Sequence, residues 1–111
     1  MSRGINNIAI PVKDLSAAKA LYGGLLGVEP YADQPYYAGF RVGDLEIGLD
    51  LNGHRHGTTA YYRVDDVHVG LRSVLDAGGQ TVQEVKDVGG GRLTAVARDA
   101  DSNIIGLIQT S

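Results

Sequence analysis

The sequence contains no cysteine, which excludes a disulfide framework, a thiolate zinc site and a cysteine nucleophile. It also lacks any excess of positive charge: 10 Lys and Arg stand against 13 Asp and Glu, giving a formal net charge of −3. Such a chain has no sustained positive field to draw phosphate backbones or anionic lipid, so neither nucleic acid nor a membrane is expected as a partner. No apolar run approaches the roughly 18 residues of a membrane span, and the opening MSRGINNIAIPVKD lacks the basic, apolar and small-residue succession of a secretory signal. The expected location is therefore the cytoplasm. What is abundant is glycine, 16 of 111 residues, which implies many tight turns or close backbone approaches. With 43% hydrophobic and 21% charged residues, the composition is that of one ordinary globular domain covering residues 1–111.

The domain reads as two related halves. A shift of 52 residues lays the segment Asn7 to Leu15 over Thr59 to Val67, so that Val12 meets Val64, Asp14 meets Asp66 and, further on, Gly27 meets Gly79. Each half is then a strand, an acidic turn, a helix of about three turns and a glycine stop. Residues 5–12 and 59–64 are β-branched or aromatic enough for strands, and Asp14 and Asp66 lie where a side-chain oxygen caps a helix N-terminus. In the first helix Ala17, Ala18, Leu21, Tyr22 and Leu25 draw an apolar stripe that ends at Gly27; in the second, Val67, Leu71, Val74 and Leu75 do so before Gly78-Gly79.

Short strands follow each helix. Tyr36 to Val42 and Leu45 to Leu51 flank the two-residue turn Gly43-Asp44, a hairpin signature, and the second of them alternates apolar with polar residues. In the second half Gln80 to Glu84 leads through Gly89-Gly90-Gly91 to a strand at 92–98, and the turn at 99–103 feeds a last strand at 104–109. The order βαβββ occurs twice, with module 1 at about residues 1–53 and module 2 at about 57–111. The fold class is α+β.

These residues resemble the vicinal-oxygen-chelate superfamily, which includes glyoxalase I, extradiol dioxygenases and bleomycin-resistance proteins. The resemblance lies in Val12-Lys13-Asp14-Leu15 with Ala18, Tyr22 and Leu26-Gly27, in Val64-Asp65-Asp66-Val67, in Ala77-Gly78-Gly79 and Gly90-Gly91-Arg92, and in the 99–103 turn with Ile105-Gly106-Leu107. It implies a half-open barrel of two tandem modules with helices outside, and a homodimer. It also implies that divalent metal ligands, where the family has them, fall at Asn7, Gly48, Thr59 and Gly106. None of the four suits a divalent ion, since hard cations need carboxylate or carbonyl oxygens and zinc-like ions need imidazole or carboxylate. No metal and no cofactor is therefore expected. Glycine at two of these positions leaves volume where a carboxylate would project, and a bulky ligand is expected there.

Strand parity extends the candidate wall, because side chains two residues apart share a face. Asn7 brings Ala9, Thr59 brings Tyr61 and Arg63, and Gly48 brings Glu46 and Asp50. The expected ligand-binding set is Asn7, Glu46, Gly48, Asp50, Thr59, Tyr61, Arg63 and Gly106. Its charged members either orient a small ligand or pair with one another at the rim. Elsewhere, His54 and His56 form the only close histidine pair, but in a glycine-bounded linker without an evident third ligand, and a solvated loop is the expected reading. Gly89-Gly90-Gly91 lacks the lysine and following helix of a phosphate loop.

Three functions fit the residues. The first is a metal-independent binding protein that encloses an aromatic or hydrophobic metabolite or antibiotic. The second is a metal-independent lyase or isomerase in which Glu46 or Asp50 is the general base and Arg63 or Tyr61 stabilises an oxyanion. The third is a divergent metal enzyme of the glyoxalase or dioxygenase kind that uses His54 and His56. The first is preferred, because no triad, dyad or activated nucleophile can be read at any spacing.

Overall fold

The structure, a computed structural model, describes residues 2–110. Ten elements follow the order expected from the sequence: β1 (Ser2–Pro11), α1 (Leu15–Leu26), β2 (Ala32–Gln34), β3 (Tyr37–Val42) and β4 (Leu45–Asp50), then β5 (Thr59–Val64), α2 (Val67–Asp76), β6 (Gln80–Gly89), β7 (Arg92–Arg98) and β8 (Ile104–Gln109). The fold is α+β with the βαβββ unit present twice. It divides into two compact units, one of residues 6–58 and one that joins the first residues of β1 to everything from Thr59 onward.

In the first unit the strands run in the order β2-β3-β4-β1. β1 and β4 are parallel, with Asn7 opposite Glu46 and Ala9 opposite Gly48, whereas β3 and β4 form the antiparallel hairpin across Gly43-Asp44. α1 begins where the Asp14 carboxylate accepts a hydrogen bond from the Ala17 amide at 3.0 Å and ends where Gly27 turns left-handed at φ 72°. It covers one face of this open sheet over Val12, Ala38, Phe40 and Leu49, all buried.

The helix stripe differs from the one expected. Leu15, Ala18, Tyr22 and Leu26 pack inward, while Leu21 is 56% and Leu25 is 72% exposed. α1 carries apolar residues on most of its circumference, so spacing alone admits two stripes a small rotation apart, and packing on Phe40 and Leu49 selects between them.

The second unit repeats the plan in the order β5-β8-β7-β6, with β5 and β8 parallel. α2 is capped by Asp66, whose Oδ1 accepts from the His68 and Val69 amides at 2.9 and 3.2 Å. It buries Val67 and Leu71 against Ala95, Ala97 and Leu107. β6 runs to Gly89, past the end expected at Glu84, because register shifts along its pairing with β7 absorb extra residues. In each unit one sheet face is covered by its helix and the other carries the candidate residues.

Candidate functional site

In the first unit the helix-free face is set by register. Asn7, Ala9, Glu46, Gly48, Asp50, Tyr37, Gly39 and Arg41 share one parity across β1, β4 and β3. Glu46 is the centre of a polar network. Its Oε1 accepts from the Arg41 guanidinium at 2.6 Å and the Tyr31 hydroxyl at 3.1 Å, and its Oε2 from the Asn7 amide at 3.4 Å. Arg41 also lies 4.2 Å from the Tyr31 ring centroid, a cation–π contact. The hydrogen bond and charge of Glu46 hold the Arg41 pKa above its ordinary value. Three donors thus converge on one carboxylate.

Asp50 has a different task. Its Oδ1 accepts from the Asn52 amide at 2.8 Å, closing the turn that leaves β4. Glu46 and Asp50 thus share the strand face that parity expects, but the structure sends Glu46 into a network with Arg41 and ties Asp50 to a loop. Sequence reasoning passed over Arg41 and Tyr31. For Arg41 the signal was present: a two-residue turn at 43–44 pairs 42 with 45 and 41 with 46. Tyr31 lies in a loop, where no period announces it.

The two glycines at the family's metal positions are filled, contrary to the expectation that they open space for a ligand. A Cβ placed on Gly48 would collide with Tyr37, whose hydroxyl is nearest and whose Cε1 and Cζ would both be 2.8 Å away. In the second unit a Cβ on Gly106 would lie 2.6 Å from Tyr61 Cδ1 and 2.7 Å from its Cγ. A tyrosine ring of this chain lies over each glycine, and both glycines are buried. Tyr31 does the same over Gly39 at 3.1 Å.

Of the remaining candidates, Thr59 is fully buried at the start of β5, Tyr61 and Arg63 follow it at the same parity, and Tyr61 pairs with Gly106. With asparagine, threonine and two ring-covered glycines, these four positions do not fit a divalent cation: no carboxylate or imidazole is offered, and the volume of a replacement is taken. Among the described residues no group of three or more His, Asp or Glu is placed to hold a metal. His54 and His56 stack loosely, centroids 5.5 Å apart, and His54 Nδ1 accepts the His56 amide at 3.2 Å. Arg55 between them donates to the carbonyls of Leu51 and Val12, so this linker is a clasp on the ends of β1 and β4.

Two βαβββ units, each with a capped helix on one sheet face and a polar or aromatic set on the other, define a class that the sequence comparison names. The chain belongs to the glyoxalase/bleomycin resistance protein/dioxygenase superfamily, whose model matches residues 4–107. Among solved structures it is similar to the NAD-dependent benzaldehyde dehydrogenase from Legionella pneumophila, at 22% identity and a TM-score of 0.73 over 96% of this chain and 99% of that one. It is also similar to methylmalonyl-CoA epimerase from Mycobacterium tuberculosis, at 19% identity and a TM-score of 0.73 over 99% and 89%. A superfamily member from Vibrio splendidus shares 12% identity at a TM-score of 0.69, over 98% of each chain. At these identities the likeness is one of fold. The search of curated proteins returns no match.

Proposed function

We infer that this chain is a metal-independent small-molecule-binding protein of the glyoxalase and bleomycin-resistance type, which encloses an aromatic or hydrophobic metabolite or antibiotic on its helix-free sheet faces. The observation that carries the reading is a tyrosine-covered glycine in each unit, Gly48 under Tyr37 and Gly106 under Tyr61, at positions where the family resemblance implies a metal-binding carboxylate. The exchange converts a position suited to an ion into aromatic surface suited to an organic guest. Tyr31 and Tyr37 supply the apolar contact in the first unit, and Asn7, Arg41 and Glu46 supply polar groups that orient what binds. Tyr61 and Arg63 are the matching pair in the second unit, whereas Thr59, expected with them, is fully buried and has no surface to offer a guest. A homodimer in the cytoplasm, with a small molecule rather than nucleic acid or membrane as its partner, belongs to the same reading.

Catalysis by Glu46 or Asp50 as general base is less well supported. A base must be free to take a proton from substrate, whereas Glu46 already accepts three hydrogen bonds and Asp50 closes a turn. The test is a thermal-shift panel of aromatic metabolites and antibiotics, followed by mass analysis of each hit. A ligand at a hundred times its dissociation constant stabilises the fold by about 2.7 kcal/mol. Recovery of the hit unchanged supports binding. A changed mass, lost in Glu46→Gln while binding persists, replaces this reading with the lyase or isomerase one, and stoichiometric metal in untagged protein would refute it.

A further inference from the structure

A hollow of about 510 Å³ lies in the second unit on the opposite, helix-covered side of the sheet, between α2 and the strands β5 and β8. It has the size of a small-molecule site. Its wall is aliphatic, made by Val64, Val69, Val74, Ile105 and Leu107. It exists because α2 carries glycine at position 70. A Cβ there would make ordinary contact with Leu107 and Val64 at 3.5 Å, and any longer side chain would fill the space. Glycine is a poor helix-interior residue, so its presence here is not explained by the helix. Ser73, Val74 and Ile105 also line a smaller adjoining hollow of about 250 Å³ that reaches Ala77 and Ala100. The whole is an elongated apolar groove along one helix.

Each end of the groove carries carboxylate: Asp99 lines the smaller hollow, its oxygens engaged by the Asn103 side chain and the Asn103 and Asp101 amides, and Asp65 and Asp66 line the larger one. Tyr62 lines the larger hollow together with them, and among the described residues no basic residue lines it. Asp66 spends Oδ1 on the helix cap, and its Oδ2 accepts no hydrogen bond among the described residues. Carboxylates beside an aromatic face are a cation's environment. They also weigh against anionic lipid, which they repel. We propose that this groove is a second ligand site, separate from the helix-free faces, and that it takes an elongated hydrophobic amine, with the ammonium at Asp66 and Tyr62 and the apolar tail running along α2 over Gly70.

The probes are phenylbutylamine, charged at neutral pH, and phenylbutanol, its neutral counterpart, each titrated into the full chain while backbone amide NMR shifts are recorded. The amine is expected to bind with shifts centred on Val69, Gly70 and Ser73, roughly fivefold tighter than the alcohol, as a partly exposed ion pair gives. Asp66→Asn removes the charge but keeps the cap, since asparagine caps a helix as well as aspartate does, and it should bring the two probes to equal affinity. Gly70→Leu should abolish binding of both, with Gly70→Ala, whose methyl fits, as the folding control. Equal affinities in the wild type, absence of saturation by the amine up to millimolar concentration, or shifts centred on Tyr31 and Arg41 would each overturn the proposal. So would a wild-type dimer that Val69→Lys converts to monomer in sedimentation, because the groove would then belong to a second copy.

Discussion

Replacing Gly48 by alanine tests the tyrosine-over-glycine arrangement directly. The added methyl would lie 2.8 Å from Tyr37 Cε1 and Cζ and closer still to its hydroxyl, separations that non-bonded atoms do not tolerate. The strand backbone is pinned by pairing on both sides, Gly48 with Ala9 and with Gly39, so the ring must leave. Losing the half-buried ring's cover costs about 1–2 kcal/mol, the usual range for overpacking. In a Tyr37→Ala background the same substitution meets no ring, and the removal of a strand glycine then stabilises by about 0.5–1 kcal/mol. The double-mutant cycle should therefore give a coupling of roughly 1.5–3 kcal/mol. Urea denaturation of the four proteins, with unchanged m-values, measures it. Equal destabilisation by Gly48→Ala in both backgrounds would mean that Tyr37 does not cover Gly48, and the reading of this face would fail.

Gly79→Ala should be the more damaging glycine substitution, by about 3 kcal/mol in thermal or urea melts, because its Cβ meets the backbone carbonyls of Arg98 and Val74, which cannot swing aside. Ser102 has φ 71°, the one non-glycine residue in the left-handed region among the described residues, so Ser102→Gly should stabilise by roughly 0.5 kcal/mol and raise the melting temperature. The Asp99 carboxylate accepts from the Asn103 side chain and from the Asn103 and Asp101 amides, and these bonds, that of the Asn103 side chain foremost, lower its pKa. A depressed carboxylate contributes its stability above the unfolded-state value of about 3.9 and loses it as pH falls through the folded-state value. The difference in melting temperature between wild type and Asp99→Ala should accordingly be constant near neutrality and shrink below about pH 4; a difference that grows on acidification would refute the assignment.

The architecture was legible because its signals are local. Asp14 and Asp66 cap the helices as their positions demand, Gly27 ends α1 in the left-handed conformation only glycine takes cheaply, and Gly43-Asp44 turns the hairpin whose register then pairs Arg41 with Glu46. The α2 stripe was legible for Val67, Leu71 and Val74, which pack on the sheet, whereas Leu75, expected with them, is exposed, as is Val69. α1 was not, since Leu21 and Leu25 compete with Leu15 and Leu26 for the sheet and only the shape of the Phe40 surface decides. The candidate site was half legible for a related reason. Parity assigns Glu46, Gly48 and Asp50 to one face, yet parity says nothing of where a long side chain leans. The ring of Tyr37 leans over Gly48 from two residues away in register, since its own strand partner is Asp50. A glycine in a strand reads as open space until the neighbour that uses it is known.

That neighbour differs between the units, and the difference argues that the covering of these glycines is not an accident of duplication. Gly48 and Gly106 occupy matching places on the last strand of each module. Ala9 is the parallel-strand partner of Gly48, and Tyr61 is that of Gly106. On the other side, Tyr37 is the partner of Asp50, and Thr94 is the partner of Ile108, which stands two residues after Gly106 as Asp50 does after Gly48. Each glycine thus has one tyrosine and one small residue at its two flanking places, but on opposite sides. A ring inherited from a duplicated ancestor would come from the same strand in both copies. Filling the same hole from two directions means that each module met the same physical need separately: a buried glycine with nothing above it forfeits packing, and a tyrosine ring restores it. The two faces are therefore alike in having a glycine floor and a phenol cover, and unlike in where the phenol is hinged, so a guest that engages one face has no reason to engage the other equally.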